Sequence, residues 1–404
     1  MKTDVLIIGA GPAGTIAAAI LNNAGFNPLI VEKEKFPRFV IGESLLPRCM
    51  DVFKEAGLLE AIEKQGYQKK YGAEFKRGNE TCTFNFSEQF TKGWQWTWQV
   101  PRDDFDKVLA DEVQSWGVDI LYETTVTDIK FNGTQSTTTI IDKDGNSEEI
   151  EADFIIDASG YGRVIAKLQN LDLPSSLPAR NSLFTQIKDV NRPEGDAGDR
   201  ITLIDTKPGV WIWIIPFSNG NTSVGFVASP EFYEKYKGSN DEMLRAMLAD
   251  EPLVAERFKN TEFIFEPQYI EGYSIAVKQL IGEGYVLTGN ATEFLDPIFS
   301  SGVTFAVESG MQAAKLVALQ LQGNDIDWNE TYVKYILHGV EVFRSYVNAW
   351  YDNTLQTIFF AKDENQKIKE QICSVLAGYV WDAKNPYVRN HKNGLKTLVK
   401  FIKS

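Results

Sequence analysis

The chain has 404 residues, of which 43% are hydrophobic, and this length and composition suit a globular protein of two intertwined domains. The net charge of −14 argues against a nucleic-acid partner. No apolar run approaches the ~20 residues of a membrane span or forms a signal peptide, so we expect neither. The few cysteines make a reduced cytoplasm the expected location. Three cysteines without a pattern and two histidines argue against a disulfide framework, a metal site and a Ser-His-Asp triad.

The chain opens with a strand, a glycine-rich turn and a helix. Residues 5–8 are a short apolar run typical of a buried parallel strand, and residues 13–21 carry an Ala-rich helix pattern. The turn has the spacing G-x-G-x-x-G, with glycines at Gly9, Gly11 and Gly14. Such glycines allow a tight turn and the close approach of a pyrophosphate to the helix N-terminus. After a second apolar run at 28–31, Glu32 is placed to accept hydrogen bonds from a ribose. The pattern predicts dinucleotide binding, and the alternative is a glycine-rich turn without a ligand.

A loop punctuated by proline and glycine runs from Phe36 to Pro47, and a helix resumes near Asp51. The segment from Gly42 to Pro47, Gly-Glu-Ser-Leu-Leu-Pro, follows a fingerprint of the flavin type. It resembles the flavin loop of flavin-dependent halogenases. Related prenyl reductases carry a similar loop, so at this point the resemblance indicates the superfamily only.

Sheet-like alternation from Gly66 to Phe86 precedes three closely spaced tryptophans. Trp94, Trp96 and Trp98 recur at period two, which predicts that their indoles face the same side of one strand. Three indoles on one face either fill a core or line a flat aromatic pocket.

The next segments predict a helix and several strands. A helix opens at Arg102, and in related flavoproteins an arginine and an aspartate at this spacing lie beside the cofactor; a capping and ion-pair role is the alternative. Residues 118–127 and 129–150 predict short strands. Residues 152–160 end a buried strand in a small-residue turn. This resembles the second flavin-domain signature of glutathione-reductase-like folds, and a generic strand end is the alternative.

Residues 165–280 show strand-like alternation with one helical interruption from Pro230 to Phe258, which predicts a mostly antiparallel second sheet. Trp211 and Trp213 share one face of its central strand and, from strand geometry alone, belong to the core. Their spacing, W-x-W-x-I-P, resembles the fingerprint of flavin-dependent halogenases, whereas prenyl reductases resemble Y-x-W-x-F-P here. The resemblance implies that these indoles crowd the flavin and keep the organic substrate away from it.

Residues 284–321 return to the first domain and enter a long helix. At its start, Ser301 and Gly302 present backbone N–H groups and a positive dipole end to an anion such as halide or a flavin oxygen; an ordinary cap is the alternative. The family resemblance implies that this Asp-Pro…Ser-Ser-Gly segment binds both isoalloxazine and halide. Asn290 stands where the superfamily usually has Asp, and Phe299 stands where tryptophan halogenases have a catalytic Glu, which argues against free tryptophan as substrate.

Residues 325–404 predict helices, and similar tails occur in the shorter halogenases that act on phenols or carrier-bound pyrroles. The end of the chain, from Arg389 to Lys403, is locally basic on an acidic protein. It suggests docking of an acidic acyl or peptidyl carrier protein by electrostatic steering. A solvated amphipathic helix is the alternative.

The resemblance also implies a lysine that holds oxidised halogen beside an electron-rich ring. A buried lysine suits this task, because its ammonium can hydrogen-bond hypohalous acid and its neutral amine can accept the halogen. Lys69, Lys70 and Lys76 are the candidates. In halogenases the catalytic lysine precedes a sheet phenylalanine by five positions, as Lys70 precedes Phe75, so we select Lys70 as the catalytic residue. The alternative is a solvated lysine on a strand face.

These features together predict an α/β protein with a glutathione-reductase-like FAD-binding fold, similar to p-hydroxybenzoate hydroxylase, a mostly antiparallel substrate-domain sheet and a helical C-terminal region. We expect the FAD-binding domain at 1–65, 100–165 and 281–324, the substrate domain at 66–99 and 166–280, and the helical region at 325–404. The residues implied to bind FAD are Gly9, Gly11, Pro12, Ala13, Gly14, Glu32, Lys33, Arg38, Ser44, Leu45, Arg102, Val126, Asn290, Pro297, Gly302 and Val303. Ser301 and Gly302 are implied to bind halide, and the expected substrate pocket contains Trp94, Trp96, Trp98, Trp211, Trp213 and Phe299.

The implied activity is halogenation of a phenol or pyrrole, free or carrier-bound, with reduced FAD, oxygen and chloride or bromide. No second G-x-G-x-x-G for a nicotinamide is present, so a separate NAD(P)H-dependent flavin reductase is expected to supply the reduced FAD. Two other activities remain open at this point. One is an FAD-dependent monooxygenase or prenyl reductase on the same scaffold, and the other is a flavin-binding protein without turnover.

Overall fold

The structure, a computed structural model, describes residues 1–362 and 365–404. This part of the chain forms two large sheets and a helical C-terminal region. Within these residues, no helix combines the length and the apolar character needed to cross a membrane. The predicted α/β class with a helical C-terminal region is confirmed.

The first sheet has eight strands, and five of them run parallel in the order β19-β10-β1-β2-β7. With strands numbered in chain order, this sheet contains β1 (Lys2–Ile8), β2 (Pro28–Val31), β7 (Asp119–Leu121), β8 (Thr124–Asn132), β9 (Gln135–Asp142), β10 (Ser147–Asp157), β18 (Ile281–Gly282) and β19 (Tyr285–Leu287). Val5 and Ile7 of β1 belong to one hydrophobic cluster, and Leu6 and Ile8 belong to another. Both faces of β1 are therefore covered, which explains its continuous apolar run.

The second sheet has seven strands in the order β16-β12-β15-β14-β13-β4-β5, and all neighbours are antiparallel except β13 and β4. Its strands are β4 (Gly72–Arg77), β5 (Glu80–Asn85), β12 (Asn181–Lys188), β13 (Thr202–Lys207), β14 (Val210–Pro216), β15 (Asn221–Ala228) and β16 (Gln268–Ile270). Two small pairs join β3 (Gln68–Lys70) to β6 (Thr97–Gln99) and β11 (Asp172–Pro174) to β17 (Ile275–Val277). The mostly antiparallel character predicted for this sheet is confirmed.

Fourteen α-helices connect and cover the sheets in the described part of the chain. They are α1 (Pro12–Asn23), α2 (Arg48–Ala56), α3 (Leu59–Glu63), α4 (Arg102–Ser115), α5 (Val164–Leu168), α6 (Asp196–Asp199), α7 (Pro230–Tyr233), α8 (Asn240–Asp250), α9 (Ser301–Leu321), α10 (Lys334–Tyr351), α11 (Thr354–Phe359), α12 (Gln366–Leu376), α13 (Pro386–Arg389) and α14 (His391–Lys403). Helix α9 packs on α1 and α2, and α10 packs on α9. The C-terminal region is thereby anchored to the first sheet's helical layer.

The predicted arrangement of the three tryptophans is wrong, because β6 begins only at Thr97. The backbone N–H of Trp94 donates a hydrogen bond to the Tyr379 hydroxyl at 2.8 Å instead of pairing with a neighbouring strand. The rings still touch edge to face, with centroids 5.7 Å apart between Trp94 and Trp96 and 5.1 Å apart between Trp96 and Trp98. Only Trp98 of the three is fully buried, so contact with the C-terminal region replaces strand pairing before Thr97.

Candidate flavin and substrate site

A cavity lies at the carboxyl ends of β1, β2, β10 and β19, where the first sheet faces β14 of the second sheet. This is where ligands bind in open α/β sheets. The residues predicted to bind FAD that line this cavity are Gly9, Gly11, Pro12, Ala13, Glu32, Lys33, Arg38, Ser44, Arg102, Val126, Asn290, Pro297, Gly302 and Val303. Trp211 and Trp213 also line it. The predicted site residues outside its lining are Gly14, Leu45, Lys70, Trp94, Trp96, Trp98, Phe299 and Ser301.

The glycine turn after β1 forms one end of the cavity. Gly9 has a φ of +103°, and a Cβ there would lie 2.6 Å from the Ala158 carbonyl oxygen on β10's outgoing turn. A Cβ on Gly14 would overlap the Gly9 carbonyl. Helix α1 begins at Pro12 without an acidic residue in its first turn, which leaves its positive N-terminal end open to an anion. The turn therefore fits the pyrophosphate of a dinucleotide such as FAD.

Glu32 directly follows β2 and is hydrogen-bonded to this turn. Its Oε2 accepts a hydrogen bond from the Ala10 N–H at 2.8 Å, and its Oε1 accepts one from the Glu34 N–H at 3.0 Å. Arg38 Nη2 lies 3.9 Å from Glu32 Oε2. The carboxylate is thus held in a fixed orientation in the cavity wall, at the position where this class of turn places a ribose.

Arg102 joins helix α4 to the loop before α2. Its Nε and Nη2 bind the two carboxylate oxygens of Asp106 at 2.8 Å and 3.0 Å. Its Nη1 donates to the carbonyl oxygens of Ile41 and Gly42 at 3.1 Å and 3.3 Å. The ion pair considered from the sequence is present, and the same side chain also borders the cavity and fixes the Gly-Glu-Ser loop beside it.

Lys70 at the end of β3 is 3% exposed. Its Nζ donates hydrogen bonds to Ser44 Oγ and to the Leu45 carbonyl oxygen, both at 2.8 Å, and lies 5.5 Å from the Phe86 ring centroid. Burial lowers the pKa of Lys70 to about 7, because the ammonium loses its hydration. Near neutral pH this amine is populated in both its charged and its neutral form.

The two other candidate lysines have different surroundings. Lys69 is exposed, and its Nζ lies 4.6 Å from the centroid of the Trp96 ring. Lys76 Nζ lies 2.9 Å from Glu74 Oε1, so the carboxylate neutralises the charge of its ammonium group. Of the three, Lys70 alone has the desolvated amine that the proposed chemistry requires.

A chain of hydroxyl groups links Lys70 to the start of α9. Ser44 Oγ accepts from Lys70 and lies 3.0 Å from Ser300 Oγ. Ser300 has a φ of +57° and immediately precedes Ser301 and Gly302, whose helix-initial N–H groups lack partners within the helix. Ser44 and Ser300 both line the cavity, so one hydroxyl separates the amine from it. The sequence analysis missed Ser300, although its place directly before the helix start was a usable signal.

Glu43 is a second buried ionisable group of the same loop, and the sequence analysis did not single it out. Its Oε1 accepts a hydrogen bond from Gln186 Nε2 at 2.7 Å, and the side chain is 1% exposed. Burial raises the pKa of Glu43 to about 7, and interactions with Ser223, Gln186 and Arg102 only partly oppose this. Below about pH 7 a largely neutral carboxyl group therefore borders the cavity.

The two tryptophans of W-x-W-x-I-P are held by different parts of the protein. Trp213 Nε1 donates to Ser223 Oγ on the adjacent strand β15 at 3.0 Å. Trp211 Nε1 donates instead to the hydroxyl of Tyr351, the last residue of α10, at 3.1 Å. Tyr351 in turn donates to Asp296 Oδ2 at 2.8 Å. Burial raises the pKa of Asp296 to about 6.

Phe299 belongs to an aromatic cluster that includes the C-terminal helices. Its ring centroid lies 6.2 Å from that of Tyr346 and 6.3 Å from that of Trp350. Trp350 lies 5.7 Å from Phe75, which in turn lies 4.8 Å from Phe359. Phe75 lies on β4, the strand that follows β3 and Lys70 in the chain.

Comparison with known proteins identifies the relatives of this chain. The model of the FAD binding domain family matches residues 2–331. A 1H-pyrrole-2-carbonyl-(peptidyl-carrier protein) brominase of Pseudoalteromonas luteoviolacea is 29% identical over 389 residues, 94% of this chain and 92% of the relative. A 1H-pyrrole-2-carbonyl-(peptidyl-carrier protein) chlorinase of Pseudomonas fluorescens is 27% identical over 406 residues, 94% of this chain and 90% of the relative. A crystal structure of a flavoprotein/dehydrogenase from Cytophaga hutchinsonii has a TM-score of 0.98 and 59% identity, and the match covers 100% of this chain and 99% of that one.

Proposed function

The chain belongs to the FAD binding domain family, and we propose that it is a flavin-dependent halogenase that uses reduced FAD, oxygen and chloride or bromide to halogenate an electron-rich aromatic ring. The two pyrrole halogenases, similar over nearly the whole chain, support this assignment. Bound reduced FAD would supply the chemistry that activates oxygen and oxidises the halide. The residues of this chain bind and orient the reactants and exclude water.

The observation that carries the proposal is the buried amine of Lys70. It lies behind the Ser44 hydroxyl, one hydrogen bond from the cavity and 5.5 Å from the centroid of the Phe86 ring. An amine in this place can hydrogen-bond hypohalous acid as an ammonium, or as a free base it can take the halogen while the hydroxide leaves with an amine proton as water. It would thus retain the oxidant within reach of an aromatic substrate.

A reconstituted assay tests this function. The purified protein, a flavin reductase, NADH, FAD and halide are incubated with phenols and pyrroles, both free and loaded on a carrier protein, and mass spectra are searched for the isotope doublet of the halogen. Lys70→Ala is expected to oxidise reduced FAD and form no halogenated product. The matched control is Lys69→Ala, since Lys69 is adjacent but exposed. Halogenation by Lys70→Ala would refute the assigned role.

For the cofactor, we propose that successive parts of FAD bind to successive groups of the predicted residues along the cavity. The glycine turn would take the pyrophosphate, Glu32 the ribose, and Pro297, Gly302 and Val303 the isoalloxazine. Ser301 and Gly302 would hold the halide with their backbone N–H groups at the start of α9. The division into an FAD-binding domain and a substrate domain of residues 66–99 and 166–280 forms part of the same proposal.

The proposed partners are a separate flavin reductase and a carrier protein bearing the aromatic acid. Both pyrrole halogenases are named for carrier-bound substrates, which supports the second partner. On this chain the exposed lysines of α14, Lys392, Lys396 and Lys400, form a basic face suited to an acidic carrier. All three cysteines are buried and free, which fits a reducing compartment such as the cytoplasm.

The docking proposal predicts a charge-dependent affinity. Changing the three α14 lysines to Glu should weaken carrier binding and make the residual binding less sensitive to salt. The control carries the same reversal at three exposed lysines elsewhere, Lys130, Lys167 and Lys259. Equal affinities for the two variants, measured by titration calorimetry, would remove α14 as the docking face.

A flavin-dependent dehydrogenase is the second candidate function. The crystal structure with a TM-score of 0.98 is described as a flavoprotein/dehydrogenase. A product that loses or gains hydrogen without any dependence on halide would select this function in the same assay.

A further inference from the structure

We propose that Tyr351 is a positioning residue that holds the Trp211 indole in the cavity wall. The access of solutes to the flavin cavity then depends on the C-terminal region. The inference rests on the proposed function only for its effect on product formation. The positioning itself concerns the cavity and the indole, and it can be measured without halogenation.

The hydrogen bonds around Tyr351 run in one direction. Trp211 Nε1 can only donate, and it donates to the Tyr351 hydroxyl at 3.1 Å. The Tyr351 proton is therefore directed to Asp296 Oδ2, 2.8 Å away. Asp296 also accepts from the Tyr273 hydroxyl and the Ile298 N–H, each at 3.0 Å. With this carboxylate fixed by three donors, the tyrosine hydroxyl has a single favourable orientation.

These hydrogen bonds join three segments that are far apart in the sequence. Trp211 lies on β14 of the second sheet, Tyr351 ends α10, and Asp296 directly precedes the cavity residue Pro297. The Arg180 guanidinium carbon lies 4.4 Å from the centroid of the Tyr351 ring and packs on its face. The ring is thus held through its face as well as its hydroxyl.

The neighbouring indole shows why this arrangement matters. Trp213 donates to Ser223 within its own sheet, and its ring packs against Phe184 of β12 at a centroid distance of 5.7 Å. The hydrogen bond and this ring contact of Trp213 are thus both made within the second sheet. Trp211 depends on the end of α10, whose preceding residue Trp350 contacts the aromatic cluster around Phe75.

Loss of the Tyr351 hydroxyl would leave the buried N–H of Trp211 without its acceptor. A buried donor without a partner is unfavourable, so the indole would move towards another acceptor or towards water. Either movement opens the cavity wall at Trp211. Solutes would reach the flavin more easily, and oxidised halogen would escape before it met the substrate.

The test compares Tyr351→Phe with the matched variant Tyr273→Phe in the full-length, FAD-bound protein. Both changes remove one hydroxyl from Asp296, but Tyr273 makes no hydrogen bond to Trp211. Iodide quenching of FAD fluorescence reports access to the flavin. We expect the quenching constant of Tyr351→Phe to rise about two- to tenfold, the factor that corresponds to one net hydrogen bond. Tyr273→Phe should stay close to the parent protein.

A double variant adds an independent check. Trp211→Phe removes the indole N–H that donates to the Tyr351 hydroxyl. In this background Tyr351→Phe should therefore cause no further rise in quenching. Unchanged quenching in Tyr351→Phe, an equal rise in Tyr273→Phe, or additive effects in the double variant would each overturn the inference.

Product measurements separate this inference from the proposed function. If the protein halogenates, Tyr351→Phe should lower the ratio of product formed to reduced FAD oxidised by about the same two- to tenfold factor. If no variant and no parent protein yields halogenated product, the proposed function fails. The quenching comparison then still decides whether Tyr351 positions Trp211.

Discussion

Replacing Lys70 by methionine is expected to stabilise the protein at neutral pH while abolishing halogenation. Methionine keeps an unbranched apolar stem and removes the buried amine. A base whose pKa is lower in the folded than in the unfolded state destabilises the fold wherever the unfolded chain is protonated. Burial lowers the pKa of Lys70 from 10.5 to about 7. The penalty is therefore complete below pH 7, shrinks as the pH rises, and disappears near pH 10.5.

The size of the effect follows from two opposing terms. The fall of the pKa from 10.5 to about 7 corresponds to a penalty of about 5 kcal/mol at low pH. Methionine also loses the two hydrogen bonds from Nζ to Ser44 and Leu45, which together stabilise the parent by about 3 kcal/mol. The net gain is then about 2 kcal/mol at and below neutral pH. It reverses above about pH 8, where the penalty has fallen below the contribution of the two hydrogen bonds.

Equilibrium unfolding in guanidinium chloride at about pH 6 and about pH 9 measures this reversal. Lys69→Met serves as the control, since Lys69 is the adjacent residue and its side chain is exposed. A variant at position 70 that is less stable than the parent by the same amount at both pH values would refute the reasoning. The amine would then be as well solvated in the fold as in the unfolded chain.

Three further predictions concern the cavity and its support. Burial raises the pKa of Glu43 from 4.5 to about 7, so the parent protein loses stability as the pH rises between these values. Glu43→Gln should therefore stabilise the fold increasingly from pH 4.5 to pH 7, and by about 3 kcal/mol above pH 7. Unfolding at about pH 5 and pH 8.5 measures it, and equal gains at both would contradict it. Glu32→Ala removes the carboxylate proposed to bind the ribose, which also accepts from the Ala10 N–H, and should weaken FAD binding about tenfold in a fluorescence titration. An unchanged Kd would place the ribose elsewhere. Arg48→Met leaves the buried Glu308 carboxylate without its guanidinium partner and should lower the free energy of unfolding by about 3–5 kcal/mol. Adding Glu308→Gln should restore much of this stability, and failure to restore it would show that the packing of Arg48 dominates.

The features that the sequence predicted well are local ones. The strand, glycine turn and helix at the start of the chain follow from spacing and periodicity within a few residues, and the structure has them as β1 and α1. The alternation of residues in the second sheet likewise predicts a mostly antiparallel arrangement, which the strand pairing confirms. In each case the information lies in one short segment, so no knowledge of distant contacts is needed.

The features that the sequence did not reveal depend on distant segments. Period two placed Trp94, Trp96 and Trp98 on one strand, but a hydrogen bond to Tyr379, far along the chain, takes the place of strand pairing at Trp94. The same holds for the support of Trp211, whose acceptor Tyr351 lies 140 positions away. No local pattern encodes such contacts, because they are set by how the C-terminal helices pack on the sheets.

The Gly-Glu-Ser loop shows how residue order, and not only composition, determines the chemistry. Ser44 forms a bridge with Gln99 of β6, and successive side chains of an extended segment point to opposite sides. Glu43 therefore reaches Gln186 of the second sheet at 2.7 Å, while Ser44 accepts from Lys70 at 2.8 Å. A shift by one residue would place the carboxyl group beside Lys70. An ion pair would then form, the pKa of the amine would rise, and the neutral form that can accept halogen would be lost. The hydroxyl beside Lys70 fixes the amine without supplying a charge, which keeps both of its protonation states available.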